Sequence, residues 1–140
     1  MEDADLRKIF EGNRVIAAVG LSSKEDRPSF GVCRFLKAMG YAIIPVNPGE
    51  TEVFGEKAYP DLASVPMKIG IVQIFRKPEA VPPIVEEAIR LGAKVVWMQD
   101  GAGSPEAAKR AEEAGLIAVV DDCMYRQYRR LYGSRPLPRS

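Results

Sequence analysis

Five short apolar runs, Val15 to Val19, Ala42 to Val46, Ile69 to Phe75, Lys94 to Met98 and Leu116 to Val120, alternate with stretches whose apolar residues recur at helical spacing. No other feature restricts the fold as much. Strands separated by helices are too far apart in sequence for tight hairpins, so they pair in parallel and each crossover helix packs back onto the sheet. The runs are continuously apolar rather than alternating, which suits strands covered on both faces. The expectation is an α/β three-layer sandwich: one domain, a five-stranded parallel sheet in the order 3-2-1-4-5, and helices on both sides.

The helical stretches carry their own start and stop signals. Leu6, Ile9 and Phe10 share one face of a first helix closed by Gly12, and Val32, Phe35, Leu36 and Met39 follow the i, i+3, i+4, i+7 pattern up to Gly40. Val81, Ile84, Val85, Ala88 and Leu91 repeat it before Gly92, and Ser104-Pro105 supplies an N-cap and a first-turn proline for an alanine-rich helix. Asp121 or Asp122 is expected to cap a last helix bearing Tyr125, Tyr128, Leu131 and Tyr132, whose spacing reads as packing. Residues 1–132 then form the domain, and residues 133–140 form a frayed basic tail.

In open α/β sheets ligands bind beyond the carboxyl ends of the strands, where strand order reverses, and four polar loops fall on that edge. The first runs from Gly20 through Leu21, Ser22, Ser23 and Lys24 to Arg27, with Pro28 and Ser29 opening the next helix. Its backbone N–H groups and the positive end of the helix dipole favour an anion, although one exposed helix end contributes only about 0.3 to 1 kcal/mol. Hydroxyls and cations on Ser22, Ser23, Lys24, Arg27 and Ser29 can reinforce it. The other three loops are Asn47-Pro48, Phe75-Arg76-Lys77-Pro78 and Met98-Gln99-Asp100-Gly101. Cations at Arg76 and Lys77 oppose the dipole of the helix they precede, which favours a role toward a ligand. Asp100 reads either as a general base or as a carboxylate bonded to neighbouring N–H groups.

Composition narrows the chemistry. Twenty basic and nineteen acidic residues leave a net charge of +1, which argues against nonspecific nucleic-acid binding. There is no histidine, so the usual neutral-pH base, the usual metal ligand and any phosphohistidine are absent. Cys33 and Cys123, far apart, make neither a disulfide framework nor a metal cluster, and no metal site is expected. The polar, acidic N-terminus and the lack of any long apolar run suggest a cytoplasmic protein without a membrane partner.

A nicotinamide dinucleotide fold normally has G-x-G-x-x-G after its first strand and an acidic residue after its second. Here Gly20 has no partner glycine before Gly31, and the second strand ends in Val46-Asn47-Pro48. The cations suit a ligand richer in phosphate, and Phe75 and Met98 offer an apolar wall.

Gly20-Leu21-Ser22-Ser23-Lys24, Asp26-Arg27-Pro28-Ser29, Val46-Asn47-Pro48-Gly49, Phe75-Arg76-Lys77-Pro78-Glu79 and Trp97-Met98-Gln99 together resemble the small stand-alone CoA-binding proteins. That family is similar to the N-terminal CoA-binding domain of the succinyl-CoA synthetase α subunit, and the likeness covers about residues 9–131. The resemblance implies a Rossmann-like domain that binds coenzyme A or an acyl-CoA, a small-molecule nucleotide ligand. Gly20 to Lys24, Arg27 and Ser29 would meet phosphate, Asn47 and Pro48 would border the adenosine, Phe75, Arg76 and Pro78 would wall it, and Met98 to Gly101 would track the pantetheine. The synthetase domains carry a lysine for the CoA phosphate just beyond the Pro-Gly turn, where this chain has Glu50. They also rely on a histidine in a second domain, so a binding module without catalysis is the leading expectation. An NAD(P)-linked oxidoreductase, or an accessory subunit of an acyl-CoA ligase, is the alternative. A homodimer or a partner subunit stays open.

Overall fold

The computed structural model describes residues 1–138. Five helices, α1 (Asp3–Gly12), α2 (Pro28–Ala38), α3 (Val81–Arg90), α4 (Pro105–Glu113) and α5 (Met124–Tyr132), surround a parallel sheet. The sheet is built from β1 (Val15–Val19), β2 (Ala42–Val46), β5 (Ile71–Ile74), β6 (Val95–Met98) and β7 (Ile117–Val119). Between β2 and β5 the chain makes a small antiparallel hairpin, β3 (Glu52–Val53) and β4 (Glu56–Lys57), and a 3-10 turn at Leu62–Ser64. Phe54 and Gly55 turn the hairpin with φ of 57° and 76°, the left-handed pair that a tight two-residue connection requires.

The three-layer expectation holds, but the strand order does not. The sheet runs β2-β1-β5-β6-β7, so its five strands counted along the chain lie in the order 2-1-3-4-5 rather than 3-2-1-4-5. Pro45 explains why β2 takes the edge. Val46 O accepts from Gly20 N on the β1 side, while Pro45 O accepts from Tyr59 N on the other, so the proline's donorless nitrogen faces outward. A proline inside a strand is tolerated only where no ladder donor is needed. With that side of β2 closed except for a single bridge to Tyr59, β5 pairs on the far side of β1.

Side chains alternate across the sheet into two buried clusters. Ala17, Val19, Ile44, Val72, Ile74, Val96 and Met98 face α3 and α4, whose alanines Ala107, Ala108 and Ala111 allow close approach. Ile16, Ala18, Ile43, Ile71, Val95 and Trp97 face α1, α2 and α5. There Phe10 packs against Trp97 and edge-on to Tyr128 at ring-centre separations of 5.7 and 5.5 Å, which makes Tyr128 core, with Tyr132 partly buried beside it, as their spacing suggests. Among the described residues no helix is long and apolar enough to cross a membrane.

The C-terminal segment is not frayed. Leu137 is buried in the α1/α2/α5 cluster, its N–H bonds Met39 O at 3.2 Å, and Tyr128 Oη donates to Arg135 O at 2.7 Å. One leucine reaching an apolar slot, with prolines on both sides limiting the unfolded chain, fixes a stretch that composition marks as a tail. Arg139 and Ser140, also assigned to that tail, lie outside the described residues. Leu137→Ala should therefore destabilise the protein by about 2 kcal/mol or more, the usual cost of emptying a buried leucine site. Urea unfolding checks this, and a variant as stable as the parent would mean that the segment does not pack.

Candidate functional site

The crossover after β1 leads to α2 on one face and the crossover after β5 leads to α3 on the other, so neighbouring strands part at their carboxyl ends. This is the switch point, and it lies between the first and third sheet strands, not between the first and fourth as the expected order required. Gly20, at φ 93°, ends β1 so close to β5 that a Cβ there would sit 2.6 Å from the Phe75 carbonyl oxygen. Only glycine fits.

Beyond Gly20 the strands open into a cleft of about 540 Å³ lined by Gly20, Ser22, Arg27, Pro28, Ser29, Asn47, Phe75, Arg76, Lys77, Asp100, Gly101 and Ala102. All four loops read from the sequence contribute. A second cavity of about 330 Å³ lies on the α3 side, bordered by Val19, Val46, Pro48, Leu62, Ala80 and Ile84, and Arg76 lines both.

Several sequence-predicted residues sit elsewhere. Leu21 and Met98 are fully buried core residues; the Met98 sulfur accepts from Ser104 N at 3.4 Å, so it provides no wall to the cleft. Pro48 belongs to the second cavity, and Ser23, Lys24 and Pro78 are not part of either lining. Gln99 is buried beneath the cleft, where its Oε1 accepts from Gln73 Nε2 at 3.2 Å and from Met124 N at 3.0 Å. Gln99, rather than Asp121 or Asp122, thus satisfies the first N–H of α5. Gln73 Oε1 in turn lies 3.4 Å from the Cys33 sulfur. Burial pushes the Cys33 thiol well above its ordinary pKa, consistent with a structural cysteine.

The first loop is wired more fully than its sequence suggests. Ser22 N donates to the buried Ser29 Oγ at 3.1 Å, Lys24 N to Ser22 Oγ at 3.1 Å, and Ser23 N to Glu50 Oε2 at 2.8 Å. Asn47 clamps it from the second loop, its Nδ2 donating to Leu21 O at 3.1 Å while its Oδ1 accepts from Gly49 N at 2.9 Å. The Ser22, Ser23 and Lys24 amide donors are thus already engaged within the protein. What remains for an anion is the α2 N-terminus, where Arg27 provides no side-chain cap, and the cationic side chains.

Those cations are unopposed. Among the described residues Arg27, Arg76 and Lys77 make no ion pair, and Asp100, the acidic residue of the lining, is held by Arg126 through hydrogen bonds of 3.0 and 3.1 Å. Ala102 in the lining was not singled out in the sequence, and Asp121, expected to cap α5, instead shapes the fourth loop, its Oδ1 accepting from Gly101 N at 3.1 Å and Gly103 N at 2.8 Å. Asp121 adopts φ 53°, which aspartate tolerates better than most side chains.

Fold and cleft together define a doubly wound α/β domain with a cation-lined cleft at its switch point. The chain belongs to the CoA binding domain family, whose sequence profile matches residues 14–129. It is 37% identical over 121 residues to the protein YneT of Bacillus subtilis (strain 168), covering 86% of this chain and 90% of that one. It is also 30% identical over 110 residues to the ADP-forming acetate–CoA ligase II of Archaeoglobus fulgidus, covering 77% of this chain but 16% of the ligase. The solved structure of a Pyrococcus horikoshii OT3 protein superposes with a TM-score of 0.92 at 44% identity, over 95% of this chain and 94% of that one.

The Arg126 guanidinium holds the Asp100 carboxyl below its usual value, so Asp100 is a weaker base than a free carboxylate. Any stability from the pair exists above the ordinary carboxylate pKa and is lost as pH falls through the lowered one. The side chains are 54% and 57% exposed, which limits that contribution to under about 1 kcal/mol. Arg126→Ala should move the Asp100 pKa upward toward the ordinary aspartate range with little loss of stability. Carboxyl-carbon NMR titration reads the shift, and an unmoved Asp100 would mean that the pair does not form in solution.

Proposed function

We propose that this protein binds coenzyme A or an acyl-CoA thioester at the carboxyl edge of its sheet, without catalysing a reaction of its own. The observation that carries the reading is the set of three cations without counter-ions, Arg27, Arg76 and Lys77, around the switch-point cleft beside the α2 N-terminus. Burying a diphosphate there gives each guanidinium a charged hydrogen-bond partner that the empty protein does not provide. Ser22, Ser29 and Asn47 fix the floor beneath the phosphates. Arg76 borders both cavities, so an extended ligand can lie across it, its phosphates in the cationic cleft and an apolar portion in the cavity bounded by Val19, Val46, Pro48 and Ile84. Membership in the CoA binding domain family supports the same ligand class.

Binding without chemistry is supported by the side chains this chain carries. The chain has no histidine, Asp100 is paired to Arg126, and both cysteines are buried. A second reading, that the protein works as an accessory unit beside the remaining parts of an acyl-CoA ligase, draws on the 30% identity to a segment of the Archaeoglobus enzyme. That reading keeps the same site and adds a partner.

Isothermal titration should show CoA binding more tightly than NAD. Arg27→Ala and Arg76→Ala should each weaken CoA by about 1.5 to 3 kcal/mol, the range for hydrogen bonds to charged groups, which is about tenfold or more in affinity. CoA no tighter than NAD, or both variants indistinguishable from the parent, would refute the assignment.

A further inference from the structure

We propose that Glu50 is a resident anion on the first loop, holding the position at the cleft rim that a ligand's phosphate monoester would otherwise take and so setting which phosphorylated ligands the site prefers. The inference rests on the CoA reading above and adds a specificity-determining residue to it. Two donors of Ser23 converge on one oxygen of the carboxylate, the backbone N–H at 2.8 Å and the hydroxyl at 3.0 Å. A backbone amide and a hydroxyl aimed at a single oxyanion are the donors a loop uses to grip a phosphate oxygen. The neighbouring amides need no such charge: Ser22 N and Lys24 N are satisfied by the neutral hydroxyls of Ser29 and Ser22. Glu50 also approaches from a different loop, directly after the Asn47 turn, where Glu50 N donates to Asn47 O at 3.1 Å.

The contact lies at the surface, with Ser23 exposed and Glu50 half-buried. The Ser23 donors and nearby Lys24 hold the Glu50 carboxyl below its ordinary pKa, so it is ionised near neutral pH and repels a second anion. Arg27, Arg76 and Lys77 lie inside the cleft and are left to hold the diphosphate, whereas a further phosphate at the rim meets negative charge. The protein should therefore gain little from a 3′-phosphate and bind CoA and 3′-dephospho-CoA with similar affinity.

Glu50→Gln tests this, because glutamine keeps an acceptor for Ser23 and removes only the charge. CoA should bind the variant about tenfold more tightly than the parent, a gain of about 1.4 kcal/mol. Affinity for 3′-dephospho-CoA should change less than about twofold, and the CoA gain should shrink at high salt as charge effects are screened. An unchanged CoA affinity, a fall in it, or an equal change for both ligands would overturn the role of Glu50 while leaving CoA binding intact. If neither ligand binds the parent or the variant, while urea unfolding shows both folded, the CoA reading itself fails and this inference falls with it.

Discussion

The structure depends on the close parallel approach of β1 and β5. Val19 O accepts from Phe75 N at 2.8 Å, and the next residue, Gly20, sits against the Phe75 carbonyl. From that contact the two chains leave for opposite faces of the sheet, which forces an opening between their loops. A β-branched residue at position 20 would push the strands apart, and the cleft would lose its floor. The site is thus a by-product of topology: the crossover rule places α2 and α3 on opposite sides, and the gap between their first turns is what a ligand can enter.

Around that opening, polar groups divide into those that hold the protein together and those that face outward without partners. Ser29, Asn47, Gln99 and Asp121 bond backbone groups of the loops and of α5, so the first, second and fourth loops are tied to one another or to segments far away in sequence. Gln73 and Gln99 carry polar contacts through an otherwise apolar interior and leave their shared oxygen well satisfied, as buried polar groups must be. Arg27, Arg76 and Lys77 do none of this. Their cost is electrostatic, since cations placed beside helix starts oppose the dipole, and a bound polyanion offsets it.

Glu50 fits the same division from the opposite side. Arg27, Arg76 and Lys77 line the cleft, while Glu50 binds Ser23 on the loop beside it. In the proposed reading, charge placement rather than shape would discriminate among similar ligands.

The residues alone determined the α/β class, the two-sided burial of the strands and the four loops that reach one edge. Hydrophobic period, helix caps and turn residues are local properties, and local properties survive without knowledge of the partners. The resemblance carried by Gly20 to Lys24, Asn47-Pro48 and Phe75 to Pro78 likewise named the family that the chain belongs to. Strand order, the seating of Leu137, the burial of Met98 and Gln99, and the contact between Glu50 and Ser23 were decided only in three dimensions. Each depends on which segment meets which across long separations in sequence, and pairing of that kind is settled by the competition of whole surfaces for one another. Pro45 shows how narrow the margin is: the expected order placed its strand inside the sheet, but a proline without a donor belongs at an edge, and β2 takes that edge because β5 pairs on the other side of β1.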